Sequence, residues 1–133
     1  MSGETDLNSL LEKMQPKLLS GEYVYCTLSS GTLADVLDLN PLATFQEAEG
    51  LSVLLEKSQA EMQGMDYSSS FCGITLSVHS ALNAVGFTAA VAEKLSASGI
   101  PCNIIAANFH DHIFVPVDMA EKAISLLAED GMQ

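Results

Sequence analysis

The chain reads as an α+β protein in which helices cover one face of an antiparallel sheet. Three observations predict this. Between residues 72 and 78, apolar Cys72, Ile74, Leu76 and Val78 alternate with Gly73, Thr75 and Ser77, the period of a half-buried strand. Two hairpin patterns are each followed by a helix start signal. Each such set of elements is too small to bury a core on both sheet faces, so helices packed on one face satisfy it.

The elements follow in order. Leu7, Leu10, Leu11 and Met14 form one helical stripe, opened by Asp6 or Thr5 and ended by Pro16, with a break at Ser20-Gly21. Residues 22–28 are rich in strand formers. Residues 29–40 predict one or two helical turns with Leu33, Val36 and Leu37 inside, closed by Pro41. Segments 42–47 and 51–56 form a hairpin around Ala48-Glu49-Gly50. Ser58 and Glu61 then have the spacing of a capping box, and 64–70 is a connection.

After the 71–78 strand, the loop 79–85 leads into a helix over 86–98 with Phe87, Val91 and Leu95 as its core stripe, stopped by Gly99. Strands follow at 100–108 and 112–117, with His110-Asp111 at the turn. Asp118 and Glu121 predict a second capping box. Ala120, Ala123, Ile124 and Leu127 face inward from the last helix, which Glu129-Asp130-Gly131 releases.

The plan strand, helix, strand, strand, helix thus occurs twice. Val53, Leu55, Ser58, Ala60 and Glu61 recur 60 positions later as Ile113, Val115, Asp118, Ala120 and Glu121. A generic hairpin followed by a capped helix can also produce such a match. The expected organisation is an N-terminal helix and linker at 1–20, a first half at 21–70 and a second at 71–133, folding as one cooperative unit.

Composition narrows the function. Five Lys+Arg against 17 Asp+Glu give a net charge of −12, a field that repels nucleic acid and anionic membranes. Cys26, Cys72 and Cys102 are far apart, form no CxxC pair and sit in apolar stretches, as buried free thiols do. With no secretory leader pattern and no apolar run of membrane-spanning length, the expected place is the cytoplasm.

His79-Ser80-Ala81-Leu82-Asn83-Ala84-Val85-Gly86-Phe87 leads into a helix, followed by Gly99-Ile100-Pro101-Cys102-Asn103-Ile104. With the hairpin His110-Asp111-His112-Ile113-Phe114-Val115-Pro116, this resembles the ACT domain. From about Tyr23 to Leu127 the chain is similar to small stand-alone bacterial ACT-like proteins of unknown function. The first half carries the pattern less fully, because its first helix is short. The resemblance implies two ACT-like halves with a ferredoxin-like βαββαβ antiparallel sheet. It also implies a regulatory site for an amino acid or other small metabolite at an interface between domains, and regulation of a partner protein.

The loop before Gly86 is the candidate site, with His79, Ser80, Leu82, Asn83, Val85, Gly86 and Phe87. A helix N-terminus offers free N–H groups and a partial positive charge that suit a carboxylate, and Gly86 lacks the Cβ that blocks close approach. Gly86 equally suits a tight strand-to-helix turn. Asn103 is a reader of ligand polar groups or a satisfied strand-end side chain. Asp111 is a partner for an α-amino group or a turn former. In an extended segment His110 and His112 share one side and Asp111 the other, and two imidazoles fall short of a zinc site. No Walker A loop, GxSxG or GxGxxG is present. The expectation is an amino-acid-binding regulator without catalytic residues, metal or cofactor, forming homo-oligomers through exposed sheet edges. The alternative is an interaction or oligomerisation module without a ligand.

Overall fold

The computed structural model describes Gly3 and residues 5–79 and 81–131, with side chains up to Ala128. In chain order the elements are α1 (Leu7–Lys13), β1 (Pro16–Leu18), β2 (Tyr23–Leu28), a 3-10 helix (Leu33–Leu39), β3 (Ala43–Glu47), β4 (Gly50–Glu56), α2 (Lys57–Met62), β5 (Phe71–Leu76), α3 (Phe87–Ser96), β6 (Asn103–Ala106), β7 (Asp111–Pro116), a 3-10 turn (Val117–Met119) and α4 (Ala120–Gly131). They form two compact units, residues 21–71, and residues 1–20 together with 72–133.

In the 21–71 unit the strand order is β3-β4-β2. Both pairs are antiparallel, and Val53 stands opposite Cys26 on one side and Thr44 on the other. Val24, Cys26, Leu51, Val53 and Leu55 present one apolar face, covered by Val36 and Leu39 from the 3-10 helix and Ala60 from α2. The expected inward set Leu33, Val36 and Leu37 is corrected here: Leu33 and Leu37 are exposed, Val36 and Leu39 buried. A 3-10 helix repeats every three residues, so i and i+3 share its inner side.

The start signals also differ from expectation. Thr32 and Asp35 form a capping box that the sequence reading passed over, with the Thr32 N–H donating to Asp35 Oδ2 at 2.8 Å. The Ser58–Glu61 box does not form. The Lys57 N–H donates to the Glu22 carbonyl at 2.9 Å, and α2 has Glu56 as its N-cap, two residues before Ser58, which lies inside the first turn. Asp118 likewise sits within the 3-10 turn and makes no cap bond.

In the other unit β1 pairs antiparallel with β5, matching Pro16 with Leu76 and Leu18 with Ile74. β7 lies beside β5, and β6 pairs antiparallel with β7 from Asn103↔Phe114 to Ala106↔Asp111. Residues 1–20, read from sequence as helix and linker, therefore contribute a strand and part of a core. Asp6 caps α1 by accepting from the Ser9 N–H at 2.9 Å. Leu10 and Met14 join Ile74, Leu76, Ile113 and Val115 on the sheet, Phe87, Val91 and Leu95 of α3, and Ala120, Ala123 and Leu127 of α4. Each large side chain of this set contributes about 1.5–3 kcal/mol by leaving water.

The repeat is a structural one. Val53, Leu55 and Ala60 are core residues of one unit, and Ile113, Val115 and Ala120 are core residues of the other. Gly99 at φ +74° ends α3 as expected, with the Ile100 N–H donating to the Leu95 carbonyl and the Gly99 N–H to the Ser96 carbonyl. The turn before β7 spans 107–110, where the Ala107 N–H donates to the His110 carbonyl, so Asp111 is a strand residue and not a turn former. α4 continues through Gly131, the last of the three residues expected to release it. Among the described residues no helix is long and apolar enough to cross a membrane.

β5 and β7 also meet on the face away from these helices. A Cβ on Gly73 would lie 2.8 Å from Phe114 Cε2 and 2.9 Å from Leu19 Cδ1. Replacing Gly73 with Ala should therefore overpack this contact and cost about 1–3 kcal/mol; an unchanged urea midpoint would contradict it. Next to it, Thr75 Oγ1 and His112 Nδ1 share a hydrogen bond of 2.9 Å. Burial holds the His112 imidazole below its ordinary pKa, His110 adds repulsion, and Asp111 offsets part of this. The folded state thus binds a proton at His112 less readily than the unfolded chain. Its contribution to stability is present above the unfolded value of about 6.5. It is lost as pH falls through the lower folded value. Denaturation midpoints between pH 7.5 and 5.5 should fall less steeply in His112→Gln than in the parent; equal slopes would assign the dependence to other groups.

Candidate functional site

The site is built at the end of β5. The chain leaves the strand at Leu76, and the Ser77 N–H donates to the Gln15 carbonyl at 3.1 Å. A turn closed by the Ala84 N–H on the Ala81 carbonyl at 3.0 Å brings it to Gly86. Gly86 has φ +94° at the N-cap position of α3, and its Ala90 partner closes the first helical bond at 2.9 Å. Among the described residues a Cβ there would meet only Leu7 Cδ2, at 3.5 Å. The positive φ favours glycine at this strand-to-helix turn. The N-cap residue, Gly86, has no side chain with which to cap α3, and the first-turn N–H groups of a helix lack intrahelical acceptors by geometry.

This loop, the start of α3 and the β6–β7 pair line a partly open cavity of about 130 Å³. The loop contributes Ala81, Leu82 and Ala84, α3 contributes Phe87 and Thr88, and the strands contribute Ala106 and Asp111. Asp111 is only 5% exposed, the one buried charged residue among those described. It follows the alternation of β7: Asp111, Ile113 and Val115 share a face, and the latter two are core. Asp111 has interactions of its own in the fold, and a carboxylate has about four acceptor positions to distribute.

Leu82, Phe87 and Asp111 thus stand together. Ala81, Ala84, Thr88 and Ala106 complete the wall; alanine and threonine carry no sequence signal that distinguishes a lining residue. Asn83 and Val85 are exposed and do not line the cavity. Ser80 lies outside the described residues. The His79 ring packs on Phe109 at 5.1 Å between centroids. Asn103 sits at the other end of the β6–β7 pairing and its Nδ2 donates to the Phe114 carbonyl at 3.2 Å, as a strand-end side chain does.

The repeat provides an internal contrast. The residue 60 positions before Asp111 is Leu51, which is buried in the core of the 21–71 unit and pairs with Gln46 as Asp111 pairs with Ala106. One repeat closes this position with a leucine. The other places a carboxylate there beside a cavity.

His110 Nδ1 lies 3.3 Å from the Val78 carbonyl, and the His110 and His112 rings are 6.5 Å apart. Among the described residues no three His, Cys, Asp or Glu side chains converge on a metal position. The cysteines are free, and burial pushes the Cys26 and Cys102 thiols up, with Asp66 adding to the effect at Cys26. This is the reverse of what activates a thiol nucleophile.

The structure has relatives of known geometry. A Vibrio cholerae protein described as of unknown function and a possible transport protein is 48% identical, with a TM-score of 0.87 over 94% of this chain and 95% of its own. An Agrobacterium tumefaciens protein is 22% identical with a TM-score of 0.74, over 90% of each chain. The ligand-free regulatory subunit of aspartate kinase from Thermus thermophilus shares the fold at 10% identity and a TM-score of 0.64, over 86% of this chain and 95% of its own. No curated protein matches the chain significantly. An ACT-domain profile matches residues 2–72 and a second matches residues 69–129, so the chain belongs to the ACT-domain family.

Proposed function

We propose that the protein is a regulatory module that binds a free amino acid in the cavity beneath the 77–86 loop. The observation that carries this is the meeting of a buried carboxylate, Asp111, with the N-terminal turn of α3 on one cavity wall. A zwitterion needs both signs of partner at short range. The first-turn N–H groups suit its carboxylate, and Asp111 suits its ammonium group. Membership of a family of regulatory ligand-binding domains supports the same role. The Thermus thermophilus relative is itself a regulatory subunit, and the similarly folded Escherichia coli aspartokinase III was solved with aspartate and ADP.

A second reading is a ligand-free interaction module, which the exposed Phe45 and Tyr25 on the outer face of the 21–71 strands favour. Self-association is compatible with both readings. Melting the full chain with each standard amino acid at millimolar concentration, with light scattering on the same samples, separates them. A bound ligand at 100 times its Kd adds about 2.7 kcal/mol, several degrees in a protein of this size. The expected result is a shift with at least one amino acid that Asp111→Asn loses while remaining folded by circular dichroism. Oligomers with no shift from any amino acid would favour the interaction module. A shift that Asp111→Asn retains in full would put the ligand elsewhere.

A further inference from the structure

Resting on that reading of the cavity, we infer that its ligand is an amino acid with a short, uncharged side chain, no larger than that of valine or threonine, and that Ala106 sets this limit. The volume of about 130 Å³ lies well below the roughly 300–1,000 Å³ of sites that enclose drug-sized ligands. Its side chains offer one carboxylate and one hydroxyl, from Asp111 and Thr88; the other lining side chains are apolar, and the remaining polar surface is main chain. The α-ammonium group uses the carboxylate. A lysine or arginine side chain then finds no second acidic partner, and an aspartate or glutamate side chain sets a second anion beside Asp111 or against alanine. An aromatic side chain exceeds the space. A short aliphatic or hydroxyl side chain meets the methyl groups of Ala81, Ala84 and Ala106 and the Thr88 hydroxyl.

Ala106 controls the size because of its register. It stands opposite Asp111 on β6, and its side chain is exposed, so a larger residue there fills the cavity without entering the core. At the equivalent pair of the other unit larger side chains stand in both places, a buried Leu51 and an exposed Gln46.

The test titrates the full chain with alanine, serine, threonine and valine, and with aspartate, lysine and phenylalanine, by isothermal calorimetry, in the parent and in Ala106→Leu. Binding by one or more of the first group, at least tenfold tighter than by any of the second and at least tenfold weaker in Ala106→Leu, is expected; one methylene in a fitted pocket is worth about 10–200-fold. If Ala106→Leu does not fold, Ala106→Val serves in its place. Aspartate, lysine or phenylalanine binding as tightly as the small amino acids, with loss in Asp111→Asn, would overturn this inference and leave the cavity reading standing. Binding that ignores Ala106→Leu would remove Ala106 from the role. Absence of binding by every amino acid would overturn the cavity reading and the inference with it.

Discussion

A carboxylate occupies a position on β7 that the strand's alternation reserves for the core, and the site depends on that constraint. Asp111, Ile113 and Val115 share one face. Slipping β7 by one residue would turn all three to the other side and bring Phe114 and His112 inward. The Gly73–Phe114 contact and the Thr75–His112 hydrogen bond on the opposite face oppose that slip. Register thus holds the acid inside. Burying an anion is costly unless polar or positive groups face it. The positive end of α3 belongs to the same wall, and Gly86 at φ +94° allows the helix to begin there.

The duplication makes this constraint visible. Two units with the same order of elements share core positions at a spacing of 60 residues, yet only one has an acid at the head of the row. In the 21–71 unit Leu51 fills that place and a short 3-10 helix replaces the longer α3. A complete apolar row seals one core. In the other, the row ends in a charge, the helix N-terminus turns toward it, and a small cavity remains. Divergence between the repeats therefore leaves one core sealed and the other with a carboxylate beside a cavity.

Much of this was legible before any coordinates. The alternation along β5, the stripes of α1, α3 and α4, and the recurrence of hairpin and helix all follow from periodicity; most of the core residues they named are buried, and Leu7, Leu11, Cys72, Val78 and Ile124 are partly buried against the same core. Features set at long range were not legible. Pro16 to Leu18 become a strand only because β5 offers them a partner edge, and nothing in three residues signals that. Lys57 bonds the Glu22 carbonyl, 35 residues earlier in sequence, and Ser58 lies inside the helix it was expected to cap. Asp111 looked like a turn residue because Asp favours turns; the structure places it in β7, on one face with Ile113 and Val115. At the site, Leu82, Phe87 and Asp111 could be named from the loop pattern and the resemblance, whereas three alanines could not, since a small side chain marks a cavity only once its neighbours are known.

The central claim is that a ligand's two charges are met at the α3 N-terminus and Asp111. Amide and side-chain chemical shifts of isotopically labelled full chain, followed as an amino acid that raises its melting temperature is added, test this most directly. The account predicts saturable shifts concentrated at the amides of Phe87 and Thr88, at Ala106 and at the Asp111 carboxyl carbon, with residues 33–39 and 63–65 unaffected. Shifts centred on Asp35, Asp38 and Gln63, which line a separate depression in the 21–71 unit, with none at Phe87 or Asp111, would contradict it.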